Sequence, residues 1–376
     1  MLAVIWILAG FAIYPVLRHW TPPPPSPHRT HIAIDLSYLL TAFICLAMYR
    51  LERRRLDRRH ALTLVFLVFL LSSFVNKIHN FNVDRAANYI PTIPNETLQE
   101  KLQASVIQLS PGVVPHSYRF LPNALVLWMQ LGGVRFDAAR DIYRLLVGLL
   151  LFYVIYRFAC LYTTFTGAVM AMLLVCVVYP ITFELYIGQL TDPLSHLSFL
   201  LAFLFLETGD FACLLTSLLL GSLAKETVLA LAGFYAVFCR KEKNYLAKAT
   251  TLCVTSAAIF LGVRQLVLHG GLDYGNISGT SLAHIGDNWR DTKWQGLFLI
   301  TAAAYLPFLA LGWKDTPLLL KRLIFYLILV LFVSSLLFSW LSETRNYMPL
   351  VFVLAVVTAR YLCGPSKNPE PGMPSE

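Results

Sequence analysis

Four polar segments interrupt an otherwise hydrophobic sequence, and each carries side chains able to handle a proton or an anion. The longest, residues 77–133, holds Asp84, Arg85, His116, Tyr118 and Arg119. The others hold Gln189 and Asp192, the neighbours Lys225 and Glu226, and Glu343 with Arg345. A carboxylate such as Asp84 close to a membrane surface can serve as general base toward a hydroxyl that comes within hydrogen-bond reach. Arg119, in the run Tyr118-Arg119-Phe120-Leu121-Pro122, presents a planar fork of donors suited to phosphate. Lys225 is suited to an anionic headgroup, with Glu226 orienting it.

Each residue also has a plainer reading. A lone Asp in a polar loop is most often a turn or cap residue, and Arg119 could be an interfacial anchor. Lys225-Glu226 and Glu343/Arg345 could be local helix-end ion pairs. Ionisable groups near hydrocarbon carry an insertion penalty of about 2.5–3.5 kcal/mol, which favours pairing or function. His79, His116 and His269 follow no metal-ligand spacing, and HExxH, DxD and P-loop patterns are absent from the sequence.

The elements that must position these residues are membrane helices. The chain has 376 residues, 57% hydrophobic and only 14% charged, with a mean hydropathy of +0.63. Apolar runs recur near the length of about 20 residues that a helix needs to cross hydrocarbon, and the alternating pattern of a membrane barrel is missing. The formal charge of +9 is not interleaved with stacking aromatics, which argues against a nucleic-acid partner. Its main cluster, Arg50, Arg53, Arg54, Arg55, Arg58 and Arg59, reads as a positive-inside signal. The seven cysteines lie in or at the ends of apolar runs without a CxxC, which reads as packing rather than disulfides or zinc.

The expected fold is therefore an all-α polytopic membrane protein with about 12 transmembrane helices and an early extracytoplasmic loop carrying interfacial helices. Residues 1–60 form an N-terminal helix pair (2–17 and 32–49) and a cytoplasmic basic loop. Residues 61–362 form the main transmembrane module, and 363–376 a disordered cytoplasmic tail. A helix over 61–74 delivers the 77–133 loop to the outer face, with Asp84 about nine residues past its end. Within that loop, helices start near Asn95 and Pro122. The second spans only a dozen residues, roughly 18 Å, too short to cross. If it did cross, the later clusters Arg240, Lys241, Lys243, Lys248 and Lys321, Arg322 would face outward, against the positive-inside rule. Further helices are expected over 142–159, 163–183, 194–206, 211–223, 228–239, 249–268, 297–313, 323–341 and 348–362. This topology puts these four segments, and a fifth polar stretch from His269 to Lys293, on one face.

The arrangement resembles the GT-C superfamily of integral-membrane glycosyltransferases. The resemblance is carried by Asp84 after an early helix, by Tyr118-Arg119-Phe120-Leu121-Pro122 leading to Leu131-Gly132-Gly133 and Ala139-Arg140, by Gly188-Gln189-Leu190-Thr191-Asp192, by Ala224-Lys225-Glu226-Thr227, and by Glu343-Thr344-Arg345. It implies a polyprenyl-phosphate-linked sugar donor, a glycan, glycolipid or protein acceptor, and an inverting one-step transfer on the extracytoplasmic face of a bacterial inner membrane. Asp84 would be the base. Arg119, Lys225 and Arg345 would neutralise the leaving phosphate, while Asp192, Glu226 and Glu343 would orient those cations or bind sugar hydroxyls. Arg85, His116, Tyr118 and Gln189 would complete the substrate-binding set. No cofactor follows beyond an optional divalent cation. Arg85 stands where many members have a second acid beside the first, and two helices precede the one leading to Asp84. Two other readings are a polysaccharide polymerase or ligase, and a transporter or flippase of lipid-linked sugars.

Overall fold

The computed structural model describes residues 23–85, 92–108, 116–180, 190–268, 282–291, 304–339 and 341–366, with the backbone alone at 82–85, 95, 117, 266–268, 282–284 and 338. Among these residues there is no strand, only isolated bridges such as Thr163 with Pro365. Six stretches are long and apolar enough to cross a bilayer: Pro27–Glu52, Arg58–Phe81, Phe136–Cys160, Tyr245–Gln265, Leu318–Leu337 and Thr344–Cys363. Shorter apolar helices pack among them. The chain is thus a helical membrane protein, and the expected first helix (2–17) lies outside the described residues.

Helix α1 (Pro27–Glu52) starts behind Ser26, whose hydroxyl accepts from the Arg29 amide, with proline in its first turn. It is followed by α2 (Arg58–Arg85) and α3 (Asn95–Ile107). After a 3-10 turn (His116–Tyr118) come α4 (Phe120–Leu131) and α5 (Phe136–Cys160). Then α6 (Phe165–Val178), α7 (Thr191–Thr208) and α8 (Phe211–Ser222) follow, with Thr164 and Asp210 capping α6 and α8. A second 3-10 turn (Glu226–Leu229) leads into α9 (Ala230–Phe238) and α10 (Tyr245–Leu268). The last elements are α11 (Leu282–Arg290), α12 (Leu306–Gly312), α13 (Leu318–Phe338), a third 3-10 turn (Thr344–Tyr347) and α14 (Met348–Cys363).

Helices α5, α7 and α14 form the centre. Almost all of α14 is buried, including Val353, Ala355 and Val356 at 0% exposure, although its sequence is that of a lipid-facing span. By contrast α1 exposes Leu36, Tyr38, Leu39 and Phe43, the pattern of a helix whose solvent is hydrocarbon. Close approach fixes the α7–α8 pair: a Cβ on Gly221 would stand 2.6 Å from Ser198 Cβ. The turn from α4 to α5 needs a left-handed residue, supplied by Gly133 at φ 82°.

Contacts divide the bundle into two ends. At one, Arg157 pairs with Glu52 at 3.2 Å, Thr163 donates to the Gly364 carbonyl at 2.7 Å, and Arg322 donates to the Phe238 carbonyl at 3.3 Å. The arginine-rich turn between α1 and α2 belongs to this end, and residues 363–366 dock here as well; 367–376 lie outside the described residues. At the other end the Ser26 amide donates to the Gly133 carbonyl at 2.9 Å and the Leu121 amide to the Leu223 carbonyl at 3.2 Å. Every described candidate residue sits at this second end.

Two expectations change. First, α2 does not stop near Phe74; it continues through Arg85, so Asp84 lies in its last turn rather than nine residues out in a loop. The polar residues that look like loop sequence are accommodated because α5 supplies partners: Asn80 Nδ2 donates to Asp141 Oδ2 at 2.8 Å, and Asn76 Nδ2 to the Asp141 carbonyl at 3.2 Å. Second, α4, expected as a short interfacial helix, is largely enclosed by the bundle. Pro122, Asn123, Ala124, Val126, Leu127 and Gln130 are all buried, and Gln103 of α3 donates to Gln130 at 2.8 Å.

Candidate functional site

The site is built on Asp192, in the first turn of α7, where the helix dipole favours a carboxylate. Asp192 is 1% exposed and receives two cations from distant sequence. Lys225 Nζ lies 3.0 Å from its Oδ1, and Arg345 Nη1 lies 3.2 Å from its Oδ2. Lys225 takes an extended conformation just after α8, which ends the helix before the second 3-10 turn begins. Arg345 belongs to the third 3-10 turn, and its Nη2 also meets Glu343 at 3.1 Å. Asn346 links the two pairs, accepting from Lys225 at 2.8 Å and donating to Glu343 at 3.1 Å. Ser339 donates to the same Glu343 oxygen at 2.7 Å.

Beside this group, Arg119 closes a two-pronged bond with Glu226, at 3.1 Å from Nε and 2.9 Å from Nη2. Lys225 and Glu226 therefore do not form the local pair that their adjacency suggests; each turns to a different element. The third 3-10 turn is held by His196 of α7. Its Nε2 lies 3.0 Å from the Arg345 carbonyl, which can only accept, so Nε2 carries the proton and Nδ1 accepts from the Tyr179 hydroxyl at 2.9 Å. Arg264 of α10 adds a fourth cation, with its guanidinium 4.4 Å from the Tyr118 ring centroid.

The electrostatics follow from burial and these pairings. Burial alone would raise the Asp192 carboxyl, but Lys225 and Arg345 outweigh it and hold the group well below the usual carboxylate range. Glu226 is likewise lifted by burial, yet Arg119 brings it down to about 2. Burial would raise the Glu343 carboxyl most of all, but Arg345, the Ser339 hydroxyl and Lys225 together outweigh it, so it too is lowered. Lys225 is pulled below the ordinary lysine range by burial, against the opposing pull of Asp192. His116 is lowered to about 3, by burial first and then by Arg119 and Arg345, so its imidazole is neutral at physiological pH. Three carboxylates thus face four cations, all buried or nearly so.

A second polar group lines the seam between α2 and α5. Besides the Asn76 and Asn80 bonds, Arg140 meets Asp141 at 3.2 Å and donates to Gln99 of α3 at 2.9 Å. Arg144 reaches toward Asn80 at 3.4 Å. His79, buried at 1% exposure, lies within Coulombic reach of Arg140, Arg144 and Asp192. Asp84 is one helical turn beyond Asn80 on the same face of α2 by register.

The structure therefore brings together His116, Tyr118, Arg119, Asp192, Lys225, Glu226, Glu343 and Arg345. The side chains of Asp84 and Arg85, and all of Gln189, lie outside the described residues. Among the described residues no three of His, Cys, Asp and Glu converge as metal ligands. Asp192, Glu226 and Glu343 do not fit a divalent cation, because each already holds a guanidinium or ammonium. Sequence reasoning missed Tyr179, His196, Arg264 and Ser339. Of these only Arg264 left a signal, as a lone arginine in the apolar run of α10. Set against known protein families, curated proteins and solved structures, the chain matches none of them.

Proposed function

We propose that the chain is a membrane glycosyltransferase of the GT-C type, moving a sugar from a polyprenyl-phosphate donor to a glycan, glycolipid or protein acceptor. The observation that carries this reading is the convergence of Arg119, Lys225 and Arg345, from three separate segments, at the end of the bundle where α2 brings its Asp84 turn. That end lies opposite the arginine-rich turn, so the positive-inside rule assigns it to the extracytoplasmic side. The short helices and the regions outside the six long spans would bring the crossings to about twelve.

In this reading the acceptor oxygen attacks the anomeric carbon from the face opposite the phosphate. Its proton passes to the Asp84 carboxylate, the bond from the anomeric carbon to the phosphate oxygen breaks, and polyprenyl phosphate departs with inversion. The buried cations have the right character for the leaving group. They are fixed before it arrives, and water is excluded from them, so charge developing on the phosphate meets oriented donors without reorganisation. Asp192, Glu226 and Glu343 keep those donors charged and aimed when the site is empty.

The experiment is transfer by the full chain in nanodiscs, supplied with undecaprenyl phosphate carrying glucose, mannose or arabinose, with products read by mass spectrometry. Release of undecaprenyl phosphate together with a glycosylated acceptor supports the reading. Movement of the intact lipid-linked sugar between leaflets without bond cleavage replaces it with transport.

A further inference from the structure

Arg50, Arg53, Arg54, Arg55, Arg58 and Arg59 crowd the turn from α1 to α2, at the end of the bundle opposite the ion-pair network. Setting the topology asks only that basic residues outnumber those at the other end; this turn shows a more particular arrangement. All of these arginines are exposed. The backbone beneath them is ordered, with the Arg53 amide donating to the Tyr49 carbonyl at 2.8 Å and the Leu56 amide to the Glu52 carbonyl at 2.7 Å. Like charges held this close repel one another and call for anions between them.

The turn's own acids do not supply them. Glu52 is turned into the bundle, its side chain 2% exposed, accepting from Tyr153 at 2.7 Å and Arg157 at 3.2 Å. Asp57 is taken by His60, at 2.8 Å from its amide and 2.7 Å from Nδ1. Among the described residues no carboxylate pairs with the guanidinium of Arg50, Arg53, Arg54, Arg58 or Arg59; Arg53 spends one donor, on the Leu56 carbonyl at 3.0 Å. The turn from α9 to α10 is the contrast. There Arg240, Lys241, Lys243 and Lys248 flank Glu242 in sequence, and Glu242 holds Lys248 at 2.8 Å.

The flanking helices add an apolar half to the surface. On α1 the exposed residues Leu36, Leu40, Phe43 and Leu46 follow one stripe, three or four residues apart, that ends at Arg50. On α2 the exposed residues Phe69, Phe66 and Leu62 lead in the same way to Arg58 and Arg59. From Leu36 to Arg50 the rise is about 21 Å, more than half of the roughly 30 Å of hydrocarbon. Each stripe is thus long enough to carry the acyl chains of one leaflet, with guanidiniums at its headgroup end. The planar fork of arginine matches the oxygens of a phosphate. We propose that the α1–α2 turn binds an anionic phospholipid, its phosphate held by Arg50, Arg53, Arg54, Arg58 and Arg59 and its chains laid along α1 and α2. This site stands whether or not the chain transfers sugars.

The test titrates the full chain, purified in a neutral detergent, with phosphatidylglycerol and with phosphatidylcholine, counting bound lipid by native mass spectrometry. Phosphatidylglycerol is expected to saturate with a Kd at least tenfold below that of phosphatidylcholine. Arg53→Gln/Arg54→Gln should raise that Kd about twenty-five-fold, or about fivefold for each arginine removed near a lipid phosphate. Lys241→Gln/Lys243→Gln, in the contrasting turn, should leave it within about twofold. Because Arg53 and Arg54 are exposed, Tm should not move; if it falls, Arg58→Gln/Arg59→Gln measured in the same way decides. Equal affinity for the two lipids, an unchanged Kd in the arginine variants, or an equal loss in the lysine variant would overturn the site. Glycerophosphoglycerol, the headgroup without its chains, should fail to displace the lipid at matched concentration; displacement would make the ligand a soluble phosphate and overturn the lipid assignment.

Discussion

Asp192→Asn isolates the keystone of the ion-pair network. The carboxylate is shared by Lys225 at 3.0 Å and Arg345 at 3.2 Å, and all three side chains are nearly inaccessible. Breaking a buried pair by removing one charge typically destabilises by about 3–5 kcal/mol, because the partner is left uncompensated. Here the loss should fall near ~3 kcal/mol, since Arg345 keeps Glu343 at 3.1 Å and Lys225 keeps the Asn346 oxygen at 2.8 Å. That corresponds to a change of about a hundredfold in the folded-to-unfolded ratio. Unfolding in mixed micelles with increasing SDS, followed by tryptophan fluorescence, measures it. The double variant Asp192→Asn/Lys225→Met removes the orphaned ammonium as well and should recover at least ~1 kcal/mol relative to the sum of the single variants. A single variant within ~0.5 kcal/mol of wild type, or strict additivity in the cycle, would refute the pairing as the energetic centre.

Three further outcomes are expected. Gly221→Ala should destabilise by about 1–3 kcal/mol through overpacking, because the new Cβ meets Ser198 Cβ at 2.6 Å and Val228 Cγ1 at 2.8 Å, and Ser198→Gly should restore part of the loss; no recovery would refute the α7–α8 contact. Acid should destabilise the protein in two steps. His116 is held at about 3 and Glu226 at about 2, both below their unfolded values, so each contribution is complete above the unfolded pKa and lost as pH falls toward the folded one. His116→Gln should therefore flatten the stability slope between pH about 6.5 and 4.5 while leaving the steeper loss below it. Cysteines placed at Asn82 and Lys243 should be labelled from opposite sides of sealed vesicles; labelling from the same side would invert the topology.

Several of the long apolar helices were legible because a run of apolar residues has few alternatives in water or lipid. The expected run over 249–268 became α10, and 348–362 became α14, within a few residues of their boundaries. The extension of α2 through Arg85 was not legible. Asn76, Lys77, Asn80 and Asn82 read as loop sequence, and only Asp141 and Arg144, more than sixty residues away, make some of them tolerable in a helix.

The site shows the same division. Residue type and face marked Arg119, Asp192, Lys225, Glu226, Glu343 and Arg345 as unusual, yet nothing in spacing could say which cation meets which acid. The Lys225-Glu226 adjacency in fact suggested the wrong pairing. His196 and Tyr179 left no trace, since a histidine in an apolar helix reads as packing until its two ring nitrogens are seen to hold Tyr179 and the Arg345 carbonyl.

The central claim is glycosyl transfer with Asp84 as base, and it is tested most directly by single-turnover transfer from an undecaprenyl-phosphate sugar in wild type and Asp84→Asn. Wild type should give an inverted anomeric product, and Asp84→Asn should keep undiminished donor binding with turnover reduced at least a thousandfold, on the order of what a positioned general base contributes. Full turnover by Asp84→Asn, or a product with retained configuration, would contradict it.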